Sequence, residues 1–313
     1  MPLSVPRAHR YRRAFRRAAA CASLAFASLL TPAASQAASC TAPPVRGFNL
    51  IQDDRAPLGS ARAAASLRKL HDIGANAVAI VPFLWQPDPA SPHITRGSDM
   101  SDGELSRAIQ AAHQMGLSVL VKPRVRIPGV RAGEVRMNAD EDWATWFQNY
   151  GQAMAALAVV AQREHVEGLV IGTELDHSLA RPEWRDLIAR LRAVYRGKLY
   201  YAAQGAEGAE RVPFWNELDA IGATLYPSLG ADDAPDDWRK TMKTERDRLL
   251  ALSKRFKRHI FIAEIGIRSA AGAAASPWED AEGPSGNIDE TLQSDVIAAW
   301  LDSLSKPEVK SVF

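Results

Sequence analysis

Two glutamates in this chain close apolar runs of the same kind. Val170-Ile171-Gly172-Thr173 leads into Glu174, and Ile260-Phe261-Ile262-Ala263 leads into Glu264. A short continuous apolar run reads as a buried strand, so each carboxylate stands at a strand end. A parallel barrel gathers its strand ends at one face, where its active sites sit. Two carboxylates facing one cleft are what glycoside hydrolysis needs. One protonates the leaving oxygen, and the other attacks the sugar or activates water. A single strand-end glutamate can equally be the partner of a nearby Arg or Lys. Two in register, with aromatics around them, favour catalysis.

The neighbours fit a sugar cleft. Trp85, Tyr226 and Trp278 fall at strand ends or just after, where a ring can stack on a sugar face or simply pack. Tyr226 can also hydrogen-bond the nucleophile and hold it ionised. Lys122, Arg124 and Arg126 follow a third apolar run. Side chains alternate along a strand, so these three share one side if the strand persists past Pro123, which lacks a donor. Three cations on one wall need the two glutamates, Asp53 and Asp54, or an anionic ligand to offset them. The last option leads us to expect a substrate bearing uronate or another acidic substituent. Asp176 and His177 lie two and three residues past Glu174 and can orient it. The seven histidines have no metal-ligand spacing, and His113 reads as structural. No Gly-x-Gly-x-x-Gly or phosphate loop follows the first strand, so no cofactor is expected.

The elements that position these residues alternate. Strands are expected at 46–51, 77–83, 117–121, 169–172, 199–203, 220–225 and 260–265. Amphipathic helices are expected at 61–73, 101–115, 140–164, 182–195, 239–256 and 291–304. Ser101 with Glu104 three residues on is a capping box. Trp143, Trp146, Phe147, Tyr150, Trp184, Trp238 and Trp300 read as helix packing. Strands alternating with helices imply a parallel sheet with right-handed crossovers, and seven of them favour a closed (β/α)8 TIM barrel. Residues 309–313 look like the opening of an eighth strand, so the barrel is expected to be truncated there or to close imperfectly.

Residues 1–39 read as an export signal rather than as part of the fold. Arg7, Arg10, Arg12, Arg13, Arg16 and Arg17 precede an apolar stretch from Ala18 to Leu30, then small residues at 34–38. The apolar part is too short for a membrane anchor. Arg12-Arg13-Ala14-Phe15 leaves the twin-arginine and general export routes both open. Cys40 is a possible lipid anchor, although Ala37 stands where a lipobox has leucine. The chain is formally +2 and its first forty residues hold six arginines and no acid, which leaves −4 for residues 41–313. A mildly acidic body without a basic stripe argues against nucleic acid. Cys40 is the only cysteine left after cleavage, so no internal disulfide is expected and the core must supply the stability. The product would be periplasmic or extracellular, a single domain from residue 40 on.

At these residues the chain resembles glycoside hydrolase family 113, a clan-A barrel family that includes beta-mannanases. The motifs run from about Arg46 to Phe313: Gly74-Ala75-Asn76-Ala77-Val78, Pro82-Phe83-Leu84-Trp85-Gln86, Ser101-Asp102-Gly103-Glu104-Leu105, Val121-Lys122-Pro123, Gly172-Thr173-Glu174-Leu175, Leu225-Tyr226-Pro227, Ala263-Glu264-Ile265-Gly266 and Ser276-Pro277-Trp278. The resemblance implies a retaining beta-mannanase-like enzyme, with Glu174 as acid/base and Glu264 as nucleophile. It also implies contacts to polysaccharide from Trp85, Lys122, Arg124, Thr173, Tyr226 and Trp278. Two positions depart from the family: Thr173 stands where clan-A enzymes usually carry Asn, and Arg124 follows Lys122-Pro123 where His is more usual. The family's cleft-floor Trp would fall beyond residue 313. Thr173 and the short eighth strand leave a second reading open, an impaired barrel that binds glycan or serves an exopolysaccharide system without hydrolysing it.

Overall fold

The computed structural model describes residues 44–313 apart from 54, 98–99, 131–132 and 280–286. Residues 1–39, where an export leader is expected, together with Cys40 and Asp54, lie outside the described residues. Strands in chain order are β1 (Val45–Leu50), β2 (Ala77–Ile80), β3 (Phe83–Trp85), β4 (Thr95–Arg96), β5 (Ser118–Val121), β6 (Arg124–Arg126), β7 (Gly168–Thr173), β8 (Lys198–Gln204), β9 (Ala220–Leu225), β10 (His259–Ile265) and β11 (Val309–Val312). The α-helices are α1 (Ala61–Asp72), α2 (Asp102–Gln114), α3 (Asp140–Arg163), α4 (Glu183–Val194), α5 (Gly205–Arg211), α6 (Pro235–Phe256) and α7 (Glu290–Ser303). Among the described residues no helix is long and apolar enough to cross a membrane.

Eight strands close a parallel barrel in the order β1-β11-β10-β9-β8-β7-β5-β2. β2, β7 and β9 are buried along their whole length, because helices cover their outer side and the barrel interior their inner one. The interior is filled mainly by alanines, with Tyr200, Phe261 and Phe313 supplying bulk. Their rings meet at centroid distances of 4.7 Å (Tyr200–Phe261) and 5.7 Å (Phe261–Phe313). Gly47 makes room for this stack, since a Cβ there would lie 2.3 Å from the Phe313 ring.

The expected gap at strand eight is not present. β11 pairs with β1 through Val45↔Ser311 and Arg46↔Val312, and with β10 through Ile260↔Val309 and Ile262↔Val312. The Phe313 backbone adds two bonds to β10, donating to Ile262 O at 3.0 Å and accepting from Ile265 N at 2.9 Å. Four residues flanked on both sides are enough to complete the ring.

Two other differences from the sequence reading have a common cause. The run expected at 77–83 stops at Ile80, and a short strand β6 follows the one that ends at Val121. Pro82 and Pro123 interrupt these runs, because proline has no N–H for a ladder. The chain leaves the barrel at both points and β3 pairs with β6, with β4 added antiparallel to β3. This three-stranded sheet prolongs β2 and β5 beyond the barrel's C-terminal rim. The capping box at Ser101 is present. α6 begins four residues earlier than expected, with Pro235 at its start, where a missing N–H does no harm.

Candidate active site

β7 does not run straight to its glutamate. Its register against β8 is Val170↔Tyr200 and then Thr173↔Ala202, so the ladder slips between Val170 and Thr173. Glu174 follows at φ +55°, a left-handed conformation that costs a non-glycine residue roughly 1–2 kcal/mol. Its N–H rejoins the barrel on Ala202 O at 2.8 Å. Glu174 is buried, 7% exposed. Thr224 on β9 donates to Oε1 at 2.7 Å, and Arg124 Nη2 stands 3.6 Å from Oε2.

Glu264 is placed in a similar way. β10 slips against β9 between Ile262 and Glu264. Asn49 Nδ2 donates at 3.0 Å to the carbonyl of Ala263, the residue inside that slip. Lys122 Nζ lies 2.5 Å from Glu264 Oε1, and Tyr226 donates to Oε2 at 3.1 Å. Both Lys122 and Glu264 are buried, so this is an ion pair shielded from water.

The two carboxyls are driven apart in acidity. Burial pushes Glu174 up, the nearby Glu264 charge adds to this, and Arg124 and the Thr224 hydroxyl oppose it only in part. Burial would raise Glu264 too, but Lys122, Arg124 and the Tyr226 hydroxyl together hold it below the ordinary range. Two carboxyls whose surroundings split them this way are suited to opposite roles, one neutral donor and one anion. Tyr226 itself is pushed up by burial and by the Glu264 charge, so it stays a phenol and can donate.

The remaining expected residues divide. Lys122, expected to contact substrate, is buried against Glu264 and the Ala263 carbonyl, where it holds the nucleophile candidate. Arg124 faces Glu174, while Arg126 lies over the rings of Phe83 (5.0 Å) and Trp85 (5.6 Å). The cations are therefore offset by the glutamates and by ring faces, which removes the reason to expect an acidic substrate. Asp53 pairs with Arg55. Asp176 pairs with Arg211 and His177 is exposed, so neither orients the Glu174 carboxyl. His113 bonds Glu167 away from the site. Thr173 is buried with its hydroxyl unpartnered. Trp85 is half-buried at the end of β3, and Trp278 is 42% exposed in the loop after β10. The helix aromatics are all core. No group of three His, Cys, Asp or Glu among the described residues is placed to hold a metal.

Thr224 and Asn49 were missed. A signal existed for Thr224, a lone hydroxyl in an apolar strand two residues before Tyr226 and so on the same side. None existed for Asn49, whose role depends on a ladder slip in another strand. Gly133 was missed too. It sits at φ +90° with its Cα against Glu174, and a Cβ there would lie 2.8 Å from the Glu174 carbonyl oxygen. Gly133→Ala is expected to cost about 1–3 kcal/mol through its forced φ and to push on the Glu174 backbone. Turnover should fall further than the loss in Tm alone explains. Unchanged turnover in a folded variant would contradict that contact.

The family model for Glycoside Hydrolase Family 113 matches residues 50–309. No curated protein sequence matches the chain. Among solved structures, the chain is similar to the GH113 beta-mannanase AaManA from Alicyclobacillus acidocaldarius in complex with ManMIm, at 26% identity and TM-score 0.74 over 87% of each chain. It is also similar to a GH113 beta-1,4-mannanase solved as a complex, at 25% identity and TM-score 0.76 over 87% of each chain. The b-glucuronidase from Ruminococcus gnavus in complex with D-glucuronic acid shares the fold at 13% identity and TM-score 0.57, over 87% of this chain and 42% of that one.

Proposed function

Because the chain belongs to glycoside hydrolase family 113, we propose that it is an exported, retaining beta-mannanase-like enzyme acting on a mannose-containing polysaccharide. The observation that carries this reading is the opposite tuning of the two strand-end glutamates. Glu174, pushed up by burial and by the Glu264 charge, is the acid that protonates the leaving oxygen. Glu264, held ionised by Lys122 and Tyr226, attacks the anomeric carbon. The glycosyl-enzyme is then hydrolysed by water, with Glu174 now acting as base. The likeness to the two GH113 mannanases above supports mannan as the class of substrate. Trp85 and Trp278 supply ring faces for sugar rings, and Thr173 an unused buried hydroxyl donor and acceptor. The leader and Cys40 support export, with or without a lipid anchor.

The rival reading, a barrel that binds glycan without cleaving it, loses its main support with the closed eighth strand. Incubation with linear mannan, glucan, galactan and uronate-containing polymers tests the proposal. The expected result is release of reducing ends from mannan, with the first-formed product keeping its anomeric configuration by NMR. Binding to mannan without any release, or inversion, would refute it. Turnover confined to uronate polymers would restore the acidic-substrate expectation.

A further inference from the structure

At the ladder slip in β7, two tyrosines hydrogen-bond backbone groups on either side of Glu174. Tyr150 on α3 donates its hydroxyl to Ile171 O at 2.8 Å. Leu175 N, the amide next after Glu174, donates to the Tyr201 hydroxyl at 2.9 Å. Both tyrosines are buried, so neither hydroxyl has water as an alternative. Each ring is locked by packing. Tyr150 stacks on Trp146 at 4.6 Å, and Trp184 meets Tyr150 edge-on at 6.2 Å and Tyr201 at 5.4 Å. Gly172 lies between the two hydroxyl contacts, and a Cβ there would come within 2.8 Å of both Trp184 and Tyr201.

This is an unusual place to spend two phenols. A buried amide or carbonyl without a partner is expensive, and a glutamate in the left-handed region persists only where its surroundings over-determine it. We propose that Tyr201 and Tyr150 are positioning residues for Glu174, fixing the slipped end of β7 so that the carboxyl stays buried beside Glu264. The inference rests on the reading of Glu174 as the acid, but its physical core is independent of turnover. If the end of β7 relaxes, the Glu174 carboxyl gains water and moves away from Glu264. Both changes ease its ionisation.

Tyr195 provides a matched comparison. It is also buried, and its hydroxyl donates at 2.7 Å to Val166 O, a carbonyl ahead of β7 at the opposite end of that strand. Tyr195→Phe therefore removes a bond of the same kind without touching the Glu174 end. The experiment compares Tyr201→Phe, Tyr150→Phe and Tyr195→Phe with the unmodified protein by three readouts. These are Tm, direct NMR titration of the Glu174 carboxyl, and the ratio of kcat/KM on a poor and on a good leaving-group aryl mannoside.

All three variants should fold and lose Tm by similar amounts. Only Tyr201→Phe and Tyr150→Phe should bring the Glu174 titration down towards the ordinary carboxylate value. In those two, activity on the poor leaving group should fall about tenfold or more beyond the loss on the good one, because only the poor one depends on the acid. A Glu174 titration that stays where it is in both variants, or moves equally in Tyr195→Phe, would overturn the proposal. If the unmodified protein cleaves no mannoside, the proposed function fails while the titration still decides the positioning role. Should Tyr201→Phe not fold, Tyr150→Phe carries the same test.

Discussion

Glu264→Ala is expected to abolish turnover and also to destabilise the protein, and the two losses should have different pH dependences. Turnover falls because no nucleophile remains. Removing one member of a catalytic unit costs on the order of 10⁴–10⁶ in kcat. Stability falls because Lys122 is left buried beside an empty space. Breaking a buried ion pair by removing one partner costs about 3–5 kcal/mol. The ammonium can escape part of this by losing its proton. Burial already pulls Lys122 down, and Glu264 is the largest influence pulling it back up. Without Glu264 the folded-state lysine is pulled lower still, so the unfolded chain binds more protons over a wider pH range. Stability then rises with pH up to the unfolded lysine value of about 10.4. The Tm deficit of Glu264→Ala relative to the unmodified protein should therefore shrink as pH rises towards 10. Glu264→Leu with Lys122→Met should recover most of the stability and none of the activity. A deficit independent of pH would show that Lys122 is not the group left exposed to the loss.

How much of this could be read from the sequence follows from which physics is local. Barrel strands such as β2 and β7 are apolar runs because they are buried on both faces, so composition alone reveals them. The two glutamates were found for the same reason, each being a charge at the end of such a run. The partners of those glutamates were harder. Lys122 was expected to contact substrate and its pairing with Glu264 was one alternative, because alternation along a strand says which side a residue faces and not what it meets there. Its partner comes from a strand 142 residues away. The break at Pro123 was visible while the strand expected at 77–83 ran through Pro82, and only the paired β3 and β6 reveal that both prolines turn two barrel strands into a rim. The ladder slips that aim Glu174 and Glu264 have no sequence signature. They depend on Tyr150, Tyr201 and Asn49 reaching backbone groups from other elements, and each of those residues looks like ordinary core or polar filler in one dimension. The eighth strand misled for a related reason. Its closure depends on Gly47 and the Phe313 ring meeting inside the barrel.

Glu174→Ala should divide substrates by their leaving groups. The first step needs a proton on the departing oxygen only when that oxygen is a poor leaving group. On mannan, where the leaving group is a sugar hydroxyl, general acid catalysis is worth typically 10²–10⁴, and kcat should drop by about that factor. On an activated aryl mannoside the glycosylation step should be nearly unaffected. The second step still lacks its base, so the glycosyl-enzyme should accumulate and give a burst followed by slow release, with a low KM. The pH profile carries an independent sign. In the unmodified protein the acid must be protonated, so activity should decline as pH rises through the raised Glu174 value and as it falls through the depressed Glu264 value. Glu174→Gln removes the alkaline decline of the glycosylation step and leaves the acid one. It also relieves the folded state of a buried carboxyl whose raised titration makes it a cost that grows as pH rises past the ordinary glutamate value of about 4.3 and is full above the raised one. The variant should thus be as stable as the unmodified protein at low pH and more stable at neutral and higher pH. Equal loss of activity on good and poor leaving groups, with no burst on the former, would mean that Glu174 holds the cleft together and does not supply the proton.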